Sequence, residues 1–296
     1  MMKKAALSLL LLASLAPSNG DAYFDRLETG ARAVAMAKTF HALADDPAAV
    51  YWNPAGLAWQ RRAAVLLAHN RPYVVEDLST NFAAFALPLP PAVGTAGVGW
   101  HRTSLANVVS EDLFFLSAGR RASIPVLGDL GIGITGKIFR VGYSDFRDFE
   151  TSERVDYGSQ TKLAADLGAI VRPHGDLRIG AIVRNVGEPR FDFVDGGGGT
   201  RMSAEVEGSI TYLWNEASLV SAGFATNRRG DLSPAVGGEV LFFDVFALRS
   251  GLFDHEYWGG FGVLTGTWFF DAGFATHKTL GVSYTASITV PIGRER

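Results

Sequence analysis

The sequence predicts an all-β membrane protein: an antiparallel transmembrane β-barrel of about fourteen strands with a small N-terminal helical hatch in its lumen. Three observations predict it. The chain opens with an export-type leader, it holds a single helical stretch in Gly30 to Leu57, and from Ala63 onward its hydrophobic period is 2 throughout.

The leader is Met1-Met2-Lys3-Lys4, an apolar run from Ala5 to Ala16, then Pro17-Ser18-Asn19-Gly20-Asp21-Ala22. Its 12 apolar residues are too few to span a bilayer as a helix. With small residues at Gly20 and Ala22, cleavage after Ala22 fits the signal-peptide rule. Residues 1–22 are therefore read as a signal peptide, 23–62 as the hatch and 63–296 as the barrel. No later stretch is apolar enough for a helical span. The chain has no cysteine, which excludes disulfides and an N-terminal lipid-bearing cysteine. A net charge of −3 gives no footing for nucleic acid.

Within the hatch, apolar residues at Ala33, Val34, Met36, Ala37, Phe40, Leu43 and Ala44 predict a helix over 32–44. Asp46-Pro47 reads as an N-cap with proline at the first helical position, opening a second short helix. Asn53-Pro54 repeats that grammar for one more turn, so Trp52-Asn53-Pro54-Ala55-Gly56 is the hatch motif.

The strand-like segments run near 63–70, 79–88, 93–102, 112–122, 129–143, 162–172, 176–186, 203–213, 216–226, 235–243, 246–252, 258–265, 268–275 and 280–291. Short and long connections alternate, the long ones near 71–78, 103–111, 144–161 and 187–202. Short turns on one side and longer loops on the other suit an outer-membrane barrel with both chain ends in the periplasm. The final strand alternates Val282, Tyr284, Ala286, Ile288 and Val290 with Ser283, Thr285, Ser287 and Thr289. That is a lipid face and a polar lumen face. Aromatic girdles are expected at Tyr212, Trp214, Phe242, Phe243, Phe246 and Trp268 by the short turns, and at Trp100, Phe114 and Trp258 by the loops.

Expected lumen charges include Lys137, Asp166, Arg178, Arg184, Glu205 and Glu207, with Arg172, Glu239, Arg249 and Asp271. The expected pairs are Asp166 with Arg178 and Arg184 with Glu205. They read either as pairing that satisfies a plugged interior or as a charged ligand path. Gly97 and Gly99 suggest a kink in the third strand and a break in its hydrogen bonding, hence a lateral gap. The six histidines lie in separate elements without metal-ligand spacing, and no nucleophile or phosphate-loop motif occurs. No cofactor and no enzymatic activity are expected.

Asn53-Pro54-Ala55, between helical pieces and about fourteen strands, resembles the hatch motif of the FadL-like outer-membrane transporters. Gly30-Ala31-Arg32-Ala33, Ala44-Asp45-Asp46 and Tyr51-Trp52-Asn53-Pro54-Ala55-Gly56-Leu57 look more specifically like the PorV/PorQ branch. The resemblance implies the outer membrane of a Gram-negative-type bacterium and passage of hydrophobic small molecules. The alternative it implies is a non-transporting partner of type IX-like secretion proteins. The chain is short for a fatty-acid transporter, and its last strand ends Val290-Pro291-Ile292-Gly293 without a terminal aromatic.

Overall fold

The computed structural model describes residues 24, 27–106, 108–144, 146–147, 154–155, 157–193, 199–227 and 230–293. The proposed signal peptide and residues 294–296 lie outside these. The strands are β1 (Ala63–Arg71), β2 (Leu78–Pro88), β3 (Thr95–Leu105), β4 (Val109–Ile124), β5 (Gly128–Tyr143), β6 (Ser159–His174) and β7 (Leu177–Val186). They continue with β8 (Glu205–Asn215), β9 (Ser218–Thr226), β10 (Leu232–Phe242), β11 (Phe246–Phe253), β12 (Glu256–Leu264), β13 (Phe269–His277) and β14 (Gly281–Ile292). Each pairs antiparallel with its neighbours in chain order, and β14 returns to β1, from Ala63 opposite Ile292 to Arg71 opposite Tyr284. Closure leaves no unpaired edge, which is what a hydrocarbon surrounding demands of a sheet. No helix among the described residues is long and apolar enough to cross a membrane.

All fourteen expected strands are present, with ends moved by a few residues. The sides sort as expected: Ser283, Thr285, Ser287 and Thr289 face inward and are buried, while Tyr284 and Ile288 face outward. The turn-side aromatics are all exposed, including Trp214 at 74% and Phe243 at 88%, and form a girdle at the short-turn end of the barrel. Three expectations change. The connection near 103–111 shrinks to residues 106–108, because β3 and β4 stay paired up to Leu105 opposite Val109. Trp258 is no girdle residue: alternation in β12 points it inward, fully buried beside Phe253. The ladder through β3 is continuous, with Gly97 opposite Ala86 and Ser117, and Gly99 opposite Ala84 and Phe115. The break expected there is absent.

Register is instead irregular between β6 and β7. Ala165 faces Val186 while Leu167 faces Val183, so one residue of β6 spans two of β7. This bulge turns Asn185 to φ 56° and lets its N–H donate to the Asp166 carboxylate at 2.8 Å.

Candidate functional site

The site is the hatch and the wall that holds it. The hatch holds α1 (Ala31–Ala35), α2 (Ala49–Trp52) and a 3-10 turn over Pro54–Trp59. Both expected caps form: Ala48 N–H donates to Asp46 Oδ1 at 2.8 Å, and Ala55 N–H donates to Asn53 Oδ1 at 3.1 Å. The expected 32–44 helix does not: α1 ends at Ala35, and Ala37 and Lys38 turn left-handed at φ 52° and 64°. Wall side chains take over the freed backbone groups. Ser287 accepts from Ala31 N–H at 3.1 Å, Ser209 accepts from Ala42 N–H at 2.8 Å, and Ser221 donates to the Thr39 carbonyl at 2.9 Å. The polar lumen face thus serves to satisfy an unwound backbone in a dry interior.

Glycines supply the space. Gly119, Gly133 and Gly168 lie directly opposite one another across β4, β5 and β6. A Cβ on Gly133 would stand 2.2 Å from the Pro54 carbonyl carbon, and one on Gly168 2.1 Å from Asn53 Oδ1. Gly237 and Gly251, also opposite one another, receive the Met36 carbonyl and Ala37 in the same way. Gly97 and Gly99 belong to this set: side chains there would meet Val50 at 2.6 and 2.9 Å. They admit the hatch rather than kink the wall.

Within the motif, Asn53 is fully buried and its amide donates to the carbonyls of His41, Ala169 and Ala181, tying hatch to β6 and β7. The Trp52 indole N–H donates to the Thr29 carbonyl at 2.8 Å, with Phe40, His41 and Tyr51 edge-on around it. Pro54 and Ala55 fill the glycine row, and Gly56 lies against Ala44, whose oxygen would be 2.0 Å from an added Cβ.

The lumen charges act as latches. Arg184 donates to Glu207 at 2.7 Å and to the carbonyls of Tyr51 and Trp52, while Glu207 also meets His41 Nε2 at 2.7 Å. Asp166 pairs with Lys137 at 2.6 Å and lies 3.8 Å from Arg184, not beside Arg178 as expected: the β6–β7 register, with Leu167 opposite Val183 and Val171 opposite Ile179, carries Asp166 up to Arg184 and leaves Arg178 near the turn. Arg178 reaches instead to Asp45 of the hatch at 3.4 Å. Burial alone would raise the Asp45 carboxyl, but Arg32 and then Arg178 hold it well below the usual carboxylate range. Glu205 lies opposite Arg184 in the ladder and lines a small void with Lys137 and Asn185. At the periplasmic end Arg32 and Arg249 both bind Glu239, and Arg249 reaches Asp271 at 2.7 Å. Sequence reasoning missed Arg32 and His41 as latch partners and the serines as backbone acceptors and donors.

The hatch divides the lumen into unlike halves. On the loop side Phe24, Leu113, Phe139, Val141, Phe191 and Met202 are buried and close-packed, with Phe24 edge-on to Phe139 at 4.8 Å, around a void of about 30 Å³ that Lys137, Arg184 and Glu205 also line. On the periplasmic side a vestibule of about 330 Å³ is lined by Arg32, Asp45, Asp46, Glu239, Arg249 and Asp271 among others.

No protein-family model matches the chain, and no curated protein matches it. Solved structures do. A FadL homologue of Pseudomonas aeruginosa is 12% identical, with 90% of this chain and 98% of that chain covered at a TM-score of 0.62. The CymD monoaromatic hydrocarbon channel is 11% identical, with the same coverage and a TM-score of 0.64. The toluene transporter TodX of Pseudomonas putida is 10% identical, with 90% and 99% covered and a TM-score of 0.62. What is shared at such identities is the fold: a closed FadL-like barrel.

Proposed function

We propose that this barrel sits in the outer membrane and admits apolar small molecules, with the hatch as the gate between its two lumen halves. The observation that carries the reading is the asymmetry just described. The apolar side chains packed on the loop side favour partition of an apolar solute out of water once they part to admit it. The hatch closes the way onward with a fully buried Asn53 and Trp52. The vestibule beyond mixes ion-paired charges with Trp59, Leu241, Leu264 and Phe269, and opens toward the periplasmic end as the way out. The fold neighbours named for toluene and for monoaromatic hydrocarbons support this solute class. The narrower likeness to the PorV/PorQ branch, with secreted proteins as clients, rests on the hatch string alone. It calls for stable co-purification with large secretion components.

The test is uptake into proteoliposomes by the whole mature chain and by a 23–62 deletion with barrel closure verified. The reading expects an aromatic hydrocarbon to enter through the intact protein and a sugar of similar size to be refused. The deletion is expected to pass both. Exclusion of the hydrocarbon by both proteins would overturn the transport reading.

A further inference from the structure

The outer wall is not uniform. On β6 to β14 the outward positions among the described residues carry no Asp, Glu, Lys or Arg, as a lipid-facing surface requires. On β1 to β5 they do. Arg120 lies near the periplasmic turn, but His69, Asn81, Arg102, Asp112 and Arg140 form a single cross-strand row about three residues below the loop-side strand ends. Arg71 stands one outward position above His69.

The row is built. His69 Nδ1 and Asn81 Oδ1 are 2.9 Å apart. Asp112 is only 9% exposed although it faces outward: the Trp100 indole donates to it at 3.0 Å and Arg102 covers it at 3.5 Å. Its charge is spent orienting those two side chains. The Arg102 side chain remains 43% exposed, and no acidic group among the described residues lies within ion-pair distance of Arg71 or Arg140. The sector therefore presents cations at the upper edge of an apolar band.

Directly beneath lies a groove of about 400 Å³ on the same face, lined by Leu67, Ala83, Trp100, Phe270, Ala286 and Ile288, with His69 and Asn81 at its head. Ala83 is low between Leu67 and Trp100 in the register, which makes the floor. A second groove of about 300 Å³ shares Phe270 and Ile288 and continues to Trp268, giving one apolar track toward the periplasmic girdle.

We propose that this sector binds a phosphate-bearing lipid of the outer leaflet, its phosphate on Arg102, with Arg71 reaching the headgroup from two strands away on the β1 side, and one acyl chain in the groove over Ala83. Guanidinium is the side chain suited to two-point phosphate contact, and Arg140, two strands or about 10 Å from Arg102, serves a headgroup with a second phosphate. Asp112 and Trp100 are positioning residues. The proposal rests on the outer-membrane reading.

The experiment places the whole mature chain in nanodiscs and measures lipid retention by native mass spectrometry. The probes are diphosphoryl lipid A, its dephosphorylated form and phosphatidylcholine, tested on wild type, R71Q/R102Q and A83F. Wild type is expected to retain the phosphorylated lipid selectively. R71Q/R102Q should lose about tenfold or more of that retention through the missing charge-assisted bonds. A83F, with every charge kept, should lose it by filling the groove. Retention indifferent to phosphate, or unchanged in both variants, overturns the site alone. A stable dimer that depends on Arg102 also overturns it, giving the face to a second copy of the chain. Failure of all three proteins to insert into bilayers overturns the outer-membrane reading with it.

Discussion

Replacing Gly133 by alanine adds a single methyl group where the structure leaves none. Its Cβ would lie 2.2 Å from the Pro54 carbonyl carbon and 2.4 Å from the Ala55 nitrogen. Ordinary contact begins near 3.4 Å, so about 1.2 Å must be made up, and both neighbours are backbone. The 14-strand ladder is held by the whole wall, whereas the hatch is held by packing and a limited set of side-chain bonds and ion pairs, so the hatch gives way. Overpacking of this sort costs about 1–3 kcal/mol, which raises the open-hatch population about 5- to 150-fold. Gly136→Ala is the matched control. Gly136 lies three residues along β5, and its nearest neighbour would be the Leu116 carbonyl at 3.9 Å. Any loss of unfolded-chain freedom is common to both substitutions. Hydrogen exchange of the 44–60 backbone reads the outcome, since local opening sets its rate. G133A should exchange faster there with the barrel strands unchanged, and G136A should match wild type. Equal protection in all three would refute the idea that the glycine row seats the hatch.

Other perturbations reach the same hatch by different physics. Arg184→Met removes the cation shared by Glu207 and the Tyr51 carbonyl in a site where Arg184 is 4% exposed. A broken buried pair costs about 3–5 kcal/mol, and a calorimetric melt should show it, with R184M/E207Q partly recovered. Asn53→Ala strands three carbonyl acceptors and should cost about 1–3 kcal/mol. Asn53→Asp should cost more, because it turns a donor into a buried anion facing those carbonyls. Burial, chiefly, lowers the His41 imidazole below its ordinary value, Arg184 and Lys38 adding to the effect and Glu207 opposing it. The unfolded residue takes up a proton near pH 6.5 while the buried one resists. Stability from this group is thus present above that pH and lost as pH falls through it. From pH 7.5 to 5 the wild-type hatch should loosen more than that of H41Q by exchange; parallel curves would remove His41 from the cause.

The barrel was legible because an apolar exterior and a polar lumen impose a period of 2, which half-buried strands of other sheets share, over about fourteen successive segments with short and long connections sorted between them. The caps at Asp46 and Asn53 were legible too, being local. The 32–44 helix was not, and the reason is physical. Inside a barrel the chain is buried on every side, so apolar spacing loses its link to one helix face. Where α1 stops is decided by Ser221, Ser209 and Gly237, each far away in sequence. Gly97 and Gly99 read as a kink in the wall, and the continuous ladder shows otherwise: the space they leave is taken by Val50, which nothing local to the strand reveals. The Asp166 pairing was misplaced because the hairpin register, with Leu167 opposite Val183, carries Asp166 up to Arg184 and leaves Arg178 near the turn, and alternation gives the face of a residue without its level.

The most direct measurement is the rate at which an aromatic hydrocarbon enters proteoliposomes bearing wild type, G133A or G136A, with barrel closure confirmed in each. If the hatch is the gate, loosening its seat raises the rate in G133A while G136A stays at the wild-type value. Equal rates in all three, despite faster hatch exchange in G133A, would show that the hatch does not gate passage.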